Sequence, residues 1–528
     1  MEPLRGAAGS ELQGRQLLPL PIEMLLLAAL GGLQTVAFVH TAWWPLPCLC
    51  IAALAWRVAN APAKRAACVG WAFGCGWLLA GTWWLFISLH RYGELPAWMA
   101  ALAVFALCAL LSLYLALAMA AFARLRSKET RERAAENALL FAAAWMLAEL
   151  ARAIIFTGFP WIAIGYSQVD APLAALAPWA GVYGIGFVVA GLSAWIAFAL
   201  LEVRFKPVGV VWAVGTAAAV SVACVGANFN FTQPTSTLSV TLIQGNIPQE
   251  EKFAAERQGA ALTWHLDTLL AAKSDLVVAP ETAIPVLPQQ LPPGLWTDIA
   301  QHFIDQKTHA LVGVPLGDED AGYTNSAVGL GAGRESQIGN YRYDKHHLVP
   351  FGEFIPTGFK WFTRMMNIPL GDFNRGPVTA PSFQVKAERV APNICYEDLF
   401  GEDLAARFVD AATAPTMFAN ISNIGWFGNT IAIPQHLNLS RMRALEFQVP
   451  MLRATNTGAT AVIDHRGVVT HSLVAHQRGV LQTSVQGRSG VTPFAWWAGR
   501  FYLWPLIALA GLVLLWRAFK RHQLNQQA

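Results

Sequence analysis

The chain reads as a polytopic α-helical membrane bundle of about eight spans joined to an extracytoplasmic α/β domain. Three observations predict this. Mean hydropathy is +0.40, and only 13% of the 528 residues are charged against 55% hydrophobic, where a soluble protein carries roughly 25% charge. Apolar stretches near the roughly 20 residues needed to cross a bilayer recur through residues 1–227 and again near the C-terminus. Between them, residues 228–494 alternate short apolar runs with polar turns, hold most of the acidic residues and are long enough for a core of their own.

The spans are expected at 18–39, 41–57, 68–90, 97–122, 137–156, 178–201, 207–227 and 495–516, the second containing Pro45 and Pro47. Orientation follows from lysine and arginine, which stay on the cytoplasmic side. Arg5 and Arg15 precede the first span; Arg57, Lys64 and Arg65 follow the second. Arg124, Arg126, Lys128, Arg131 and Arg133 follow the fourth, Arg204 and Lys206 the sixth, and Arg517, Lys520 and Arg521 the eighth. Every second loop is therefore basic. Both termini are expected inside, and the domain over 228–494 outside, between a seven-span bundle (1–227) and a final span with a basic tail (495–528). The first apolar run lacks a small-residue cleavage site and reads as a retained span. A net charge of +4 with no concentrated basic face gives no case for nucleic acid as a partner.

Within the outer domain, Leu238–Ile243 alternates as a strand, a helical run follows over 250–272, and Asp275–Ala279 is an apolar strand ending at Pro280-Glu281. Further strands are expected at 309–314, 338–344, 389–395, 415–420, 459–463 and 467–473, and helices near 296–306, 399–409 and 435–448. Strands alternating with helices imply layered α/β architecture, with reactive groups where strands end in loops.

Cys395 is the one cysteine of seven in this domain; the others lie in the apolar stretches. In an oxidising compartment it has no intramolecular disulfide partner, and is either an inert core thiol or a nucleophile. Glu281 and Lys345 likewise stand at strand ends. A carboxylate can take a thiol proton, and an ammonium can hold the oxyanion of a tetrahedral intermediate. These three side chains suffice for acyl transfer with no cofactor and no metal.

Pro280-Glu281-Thr282, the block from Tyr343-Asp344-Lys345-His346-His347 through Pro350-Phe351-Gly352-Glu353, and Asn393-Ile394-Cys395-Tyr396-Glu397 resemble the three catalytic blocks of the nitrilase superfamily. Set among spans in this order, the chain resembles the membrane-embedded apolipoprotein N-acyltransferases of that superfamily over essentially its whole length. The resemblance implies a nitrilase-like αββα sandwich in a bacterial inner membrane, with the catalytic domain facing the periplasm. It implies Glu281 as general base, Lys345 as oxyanion stabiliser and Cys395 as the residue forming a thioester. Glu353 would support the lysine or the leaving group, Glu397 would stand beside the nucleophile, and Tyr396 would help shape the acyl pocket. The implied partners are a phospholipid acyl donor, a diacylglyceryl lipoprotein acceptor and membrane lipid, served by a monomer. Phe253 stands where the family often has tryptophan, and Ile424, in Asn423-Ile424-Gly425-Trp426-Phe427-Gly428, where it usually has aspartate. Phe253 and Trp426 are expected to contact substrate.

The stretch Phe354–Met366 interleaves aromatic, methionine and basic residues as interfacial segments do. Its Trp361 and Phe362 are expected to form an arm that admits lipid chains. His346 and His347 are adjacent, so they point apart in an extended segment and read as structural. Two other functions fit parts of the pattern. One is a membrane-tethered nitrilase-type amidase that hydrolyses a C–N bond with the same triad. The other is a transporter, which wants ionisable residues at mid-depth; Glu149 and Arg152 are the main ones in the spans.

Overall fold

The apolar stretches of the first 203 residues become helices: Leu20–Leu33, Pro45–Val58, Ala63–Thr82, Ala97–Leu125, Ala134–Ile154 and Ala177–Val203. The structure, a computed structural model, describes residues 18–127, 133–203, 229–252, 255–331, 341–356 and 372–527. Among these, four helical stretches are long and apolar enough to cross a membrane: Leu20–Phe38, Ala97–Leu125, Ala134–Thr157 and Pro172–Ala199. The number is six if two bent pairs each count as one span, Ala63–Thr82 with Leu85–Tyr92 (62°) and Pro493–Phe501 with Trp504–Gln527 (86°). This is fewer than the expected eight, for identifiable reasons. The second expected span forms only the 14-residue helix Pro45–Val58, about 21 Å long where a bilayer core is about 30 Å thick. The seventh, 207–227, lies outside the described residues. Phe73, Trp77 and Phe141 pack around the buried ring of Trp145, while Leu102, Leu113 and Leu117 point out of the bundle, as lipid-facing side chains do.

Among the described residues, the outer domain contains two six-stranded sheets. The first comprises β1 (Thr232–Gln244), β2 (Leu276–Val278), β3 (His309–Asp318), β4 (Gly322–Gly331), β5 (Tyr341–Asp344) and β12 (Gly479–Gly490), ordered β12-β1-β2-β3-β4-β5. The second comprises β6 (Phe383–Val385), β7 (Glu388–Ile394), β8 (Met417–Ser422), β9 (Met451–Thr455), β10 (Ala461–Ile463) and β11 (Val469–Ser472), ordered β11-β10-β9-β8-β7-β6. The central pairs β1/β2, β2/β3, β7/β8 and β8/β9 are parallel, so several strands end at the same edge. The inner faces meet through Val240, Leu276, Val278 and Leu311 on one side and Val390, Ile394, Met417 and Ile421 on the other. Helices Ala255–Ala271 and Leu295–Gln306 cover the first sheet, with Leu269, Ile299 and Phe303 in their shared core. Helices Ala432–Phe447 and Pro493–Phe501 cover the second, where Phe447, Phe494 and Ala498 are buried. The layers are thus α-β-β-α.

Helix Ala432–Phe447 also lies against the bundle. Asn438 Nδ2 donates to Phe38 O at 3.1 Å, and Gln435 Oε1 accepts from the indoles of Trp84 (3.1 Å) and Trp161 (2.9 Å). Glu149 and Arg152, an ionisable pair within the apolar stretches, hold the loop beneath it. Glu149 Oε1 accepts from the Ile164 N–H at 2.8 Å, and Arg152 Nη1 donates to the carbonyls of Phe159 (3.0 Å) and Trp161 (2.6 Å).

Candidate functional site

Three strand ends converge on one cluster, in which Glu281 and Lys345 are buried and Cys395 is partly buried. Glu281 follows β2 across Ala279 and Pro280, and the turn lies directly over Gly313 of β3. A Cβ at Gly313 would meet Pro280 O at 2.4 Å and the Glu281 Cα at 2.7 Å, so only glycine lets the turn come this close. Both carboxylate oxygens are held: Oε1 accepts from Asn325 Nδ2 at 2.7 Å, and Oε2 from the Asn423 N–H at 2.8 Å.

Lys345 directly follows β5 and is 1% exposed. Its Nζ donates to Glu353 Oε1 at 2.9 Å and stands 3.6 Å from Glu281 Oε1. Asn325 Nδ2 donates to Glu353 Oε1 as well, at 2.7 Å, so one amide spans both carboxylates. Glu353 Oε2 is fixed by the Val349 N–H at 2.8 Å. Burial works against the ammonium charge, but the carboxylates of Glu353 and Glu281 outweigh it and hold the lysine above its ordinary pKa. It is a permanent cation, as an oxyanion partner must be.

Cys395 follows β7 and opens the 3₁₀ turn Cys395–Leu399 with φ at 53°. That left-handed conformation costs a non-glycine residue about 1–3 kcal/mol and is held only where the surroundings enforce it. Burial, and next the charge of Glu281, push the thiol up to about 12, with Lys345 pulling the other way. The resting thiol keeps its proton, and a base must remove it before attack.

The other expected residues are placed in different ways. Glu353 contacts the lysine directly. Glu397 and Tyr396 hold the turn. Glu397 accepts from the Tyr343 hydroxyl and the N–H groups of His346 (2.7 Å) and Ile394 (2.6 Å). The Tyr396 hydroxyl donates to Gly158 O at 2.9 Å, a carbonyl of the bundle. Trp426 packs edge-on against Tyr92, ring centres 5.4 Å apart, where the bent pair Ala63–Tyr92 meets the outer domain. Phe253, Trp361 and Phe362 lie outside the described residues. His347 is structural: Nδ1 is 3.0 Å from Asp403 Oδ2, Nε2 is 2.8 Å from Thr157 O, and the ring stacks on Phe400. His346 Nδ1 lies 2.7 Å from Gly376 O. Sequence reasoning did not single out Asn325, Asn423 or His436, whose ring reaches the Cys395 carbonyl. The available signal was weak: a lone histidine in a helix that also carries Gln435, Asn438, Arg441, Arg443 and Glu446.

Two facing sheets with a thiol, an ammonium and carboxylates at their strand ends define a domain of the carbon–nitrogen hydrolase class, here attached to apolar helices. The carbon–nitrogen hydrolase family model matches residues 239–493, and the model of the apolipoprotein N-acyltransferase N-terminal domain matches residues 30–195. An apolipoprotein N-acyltransferase of Verminephrobacter eiseniae is 51% identical, over 90% of this chain and 92% of that one. Those of Ralstonia nicotianae (45%, over 94% of each chain) and Pseudomonas aeruginosa (36%, over 96% and 97%) are similar throughout as well. The chain belongs to the apolipoprotein N-acyltransferase family, and it is an acyltransferase.

Proposed function

We propose that the protein transfers an acyl chain from a phospholipid to the α-amino group of the S-diacylglyceryl cysteine at a lipoprotein N-terminus, through a thioester on Cys395. Glu281 takes the Cys395 proton, and the thiolate attacks the ester carbonyl of the phospholipid. The tetrahedral oxyanion forms beside Lys345. Collapse breaks the ester C–O bond, and the alkoxide of the lysophospholipid takes the proton back from Glu281 as it leaves. The lipoprotein amine then attacks the thioester, Glu281 accepts its proton, and the thiolate departs and is reprotonated. An amide and the resting enzyme result.

One observation carries this reading: buried Glu281 and Lys345 and part-buried Cys395 form a single cluster whose surrounding turns, through Tyr396 and helix Ala432–Phe447, rest on the apolar bundle. Both lipid substrates would reach the thiol without leaving the bilayer, and water would be kept from the thioester. On this reading the short helix Pro45–Val58 also crosses, the bilayer thinning around it, so that the expected eight spans place both termini in the cytoplasm and the domain over 228–494 in the periplasm, and the chain acts as a monomer. Trp426 would lie along the lipid entry path. C–N bond hydrolysis is less well supported. It gives the bundle no task, and the relatives matched over at least nine-tenths of the chain carry the acyltransferase name.

The test is intact-protein mass spectrometry after incubation in phospholipid-containing detergent. A mass gain of one fatty acyl group is expected, absent in Cys395→Ala and discharged by a diacylglyceryl peptide. A folded protein with an alkylatable thiol and no acyl adduct would overturn the scheme.

A further inference from the structure

His436 takes no part in the proton transfers above, yet it touches the nucleophile. It lies in helix Ala432–Phe447, is 1% exposed, and its Nε2 is 3.1 Å from the Cys395 carbonyl oxygen. Arg453 Nη2, from β9, is 2.7 Å from His436 Nδ1. A guanidinium has donors only, so Nδ1 must supply the lone pair and Nε2 must carry the hydrogen. The tautomer is dictated, and His436 donates to Cys395. Burial, with the Arg453 charge, holds the imidazole well below the ordinary histidine range, so the ring stays neutral while it does so.

The ring is fixed from both sides. Behind it, Arg453 donates to Ser440 Oγ at 2.6 Å and reaches Asp398 Oδ2 at 3.4 Å, and Ser440 donates to the same carboxylate. In front, the Trp161 indole stacks on the imidazole with ring centres 5.6 Å apart and planes 22° from parallel. Trp161 is in turn held by Gln435 and Arg152. A second donor to the Cys395 carbonyl, Asn420 Nδ2, is longer at 3.4 Å. The left-handed backbone of Cys395 would relax if its carbonyl were released, carrying the thiol away from Lys345 and Glu281.

We propose that His436, oriented by Arg453 and Trp161, is a positioning residue that holds the Cys395 peptide in its left-handed conformation for acyl transfer. The inference rests on the thioester reading and adds a residue acting through the nucleophile's backbone. Full-length His436→Gln and His436→Leu, purified in detergent, test it. A glutamine amide nitrogen can occupy the place of Nε2; leucine cannot donate. His436→Leu should form the Cys395 acyl adduct about 10- to 100-fold more slowly with the phospholipid KM little changed. His436→Gln should recover most of the rate, with the wild-type pH profile because the ring does not titrate in the reaction. If His436→Leu does not fold, His436→Asn, whose shorter amide falls short of the carbonyl, replaces it. A leucine or asparagine variant as fast as wild type, or a glutamine variant no faster than these, would overturn the proposal. Absence of any adduct in the wild type would instead remove the thioester reading itself.

Discussion

Tyr343 donates its hydroxyl to the Glu397 carboxylate, at 2.8 Å from each oxygen, and so ties the strand that leads into Lys345 to the turn that carries Cys395. The same carboxylate accepts from Ile394 on the cysteine side and His346 on the lysine side. One glutamate therefore clamps the two sheets together at the site. Burial and the neighbouring Glu397 raise the tyrosine far above its ordinary pKa, so it remains a donor at any working pH.

Glu397→Gln should loosen this clamp. The amide keeps one acceptor but turns an NH2 group toward existing donors, leaving buried groups unpaired at about 1–3 kcal/mol. Tyr343→Phe leaves the carboxylate its backbone partners and should cost about 1 kcal/mol. Thermal unfolding in detergent should rank wild type above Tyr343→Phe above Glu397→Gln, and the rate of Cys395 acylation should follow that order. A Glu397→Gln protein that melts like wild type would show that the clamp contributes nothing.

Neutralising Glu281 should separate thiol reactivity from catalysis. Its charge raises the Cys395 pKa, whereas that of Lys345 lowers it. Glu281→Gln should therefore react faster with iodoacetamide near neutral pH, by up to about tenfold for each unit the pKa falls, while acyl-enzyme formation drops by about 10²–10⁴. Lys345→Met should react more slowly than wild type. With the thiol near 12, the wild-type alkylation rate should still be climbing in alkaline buffer; a plateau at the ordinary cysteine value, about 8.5, would contradict the geometry.

These side chains were legible in the sequence because each stands at the end of an expected strand: Val277-Val278-Ala279-Pro280 gives way to Glu281, Tyr343-Asp344 to Lys345 and Asn393-Ile394 to Cys395. Asn325 was not. It sits on β4, whose run Gly-Tyr-Thr-Asn-Ser-Ala-Val-Gly-Leu-Gly has little apolar alternation and is held as a strand by ten residues of antiparallel pairing with β3. Arg453 was hidden for the opposite reason. β9 is buried along its whole length, so no period-two pattern marks it, and its arginine is met by the Asp398 carboxylate and the Ser440 hydroxyl oxygen, which come from other elements. In the bundle, hydropathy registers the length of an apolar stretch but not its direction. The 86° bend before Trp504 divides an expected span, and its first half packs into the outer domain through Phe494 and Ala498.

Stability should fall as pH rises from mildly acidic to mildly alkaline. Glu402 is 2% exposed, and burial, then the charge of Asp403, raise its pKa from 4.5 to about 8. Burial raises Glu446 from 4.5 to about 7 although Arg443 is 3.1 Å away. Across that window the folded chain binds more protons than the unfolded one, so linkage makes unfolding easier with increasing pH. The contribution is complete below about 4.5 and gone above about 8. Melting temperatures in detergent should decline through this range, and Glu402→Gln should flatten the decline and melt higher than wild type at its alkaline end. Parallel curves for the two proteins would exclude Glu402 as a source.

Gly181 makes docking of the outer domain possible, and its replacement should be felt on both sides. It breaks the helix Ala177–Val203 with φ at 64°, and a Cβ there would come within 2.4 Å of Phe494 Cε2. Just past the break, the Val182 N–H donates to Glu446 Oε1 at 2.8 Å, a helix start capped by a carboxylate from another element, which the helix dipole also favours. Gly181→Ala adds a left-handed penalty of about 1–2 kcal/mol to the clash with the ring. Phe494→Ala removes the clash but empties a buried site, at about 3–5 kcal/mol. The double variant should therefore melt higher than the sum of the two losses predicts, because the alanine methyl then enters the space the ring vacated. Strict additivity would mean that the methyl is accommodated by the bundle helix alone and that Phe494 does not lock against the break.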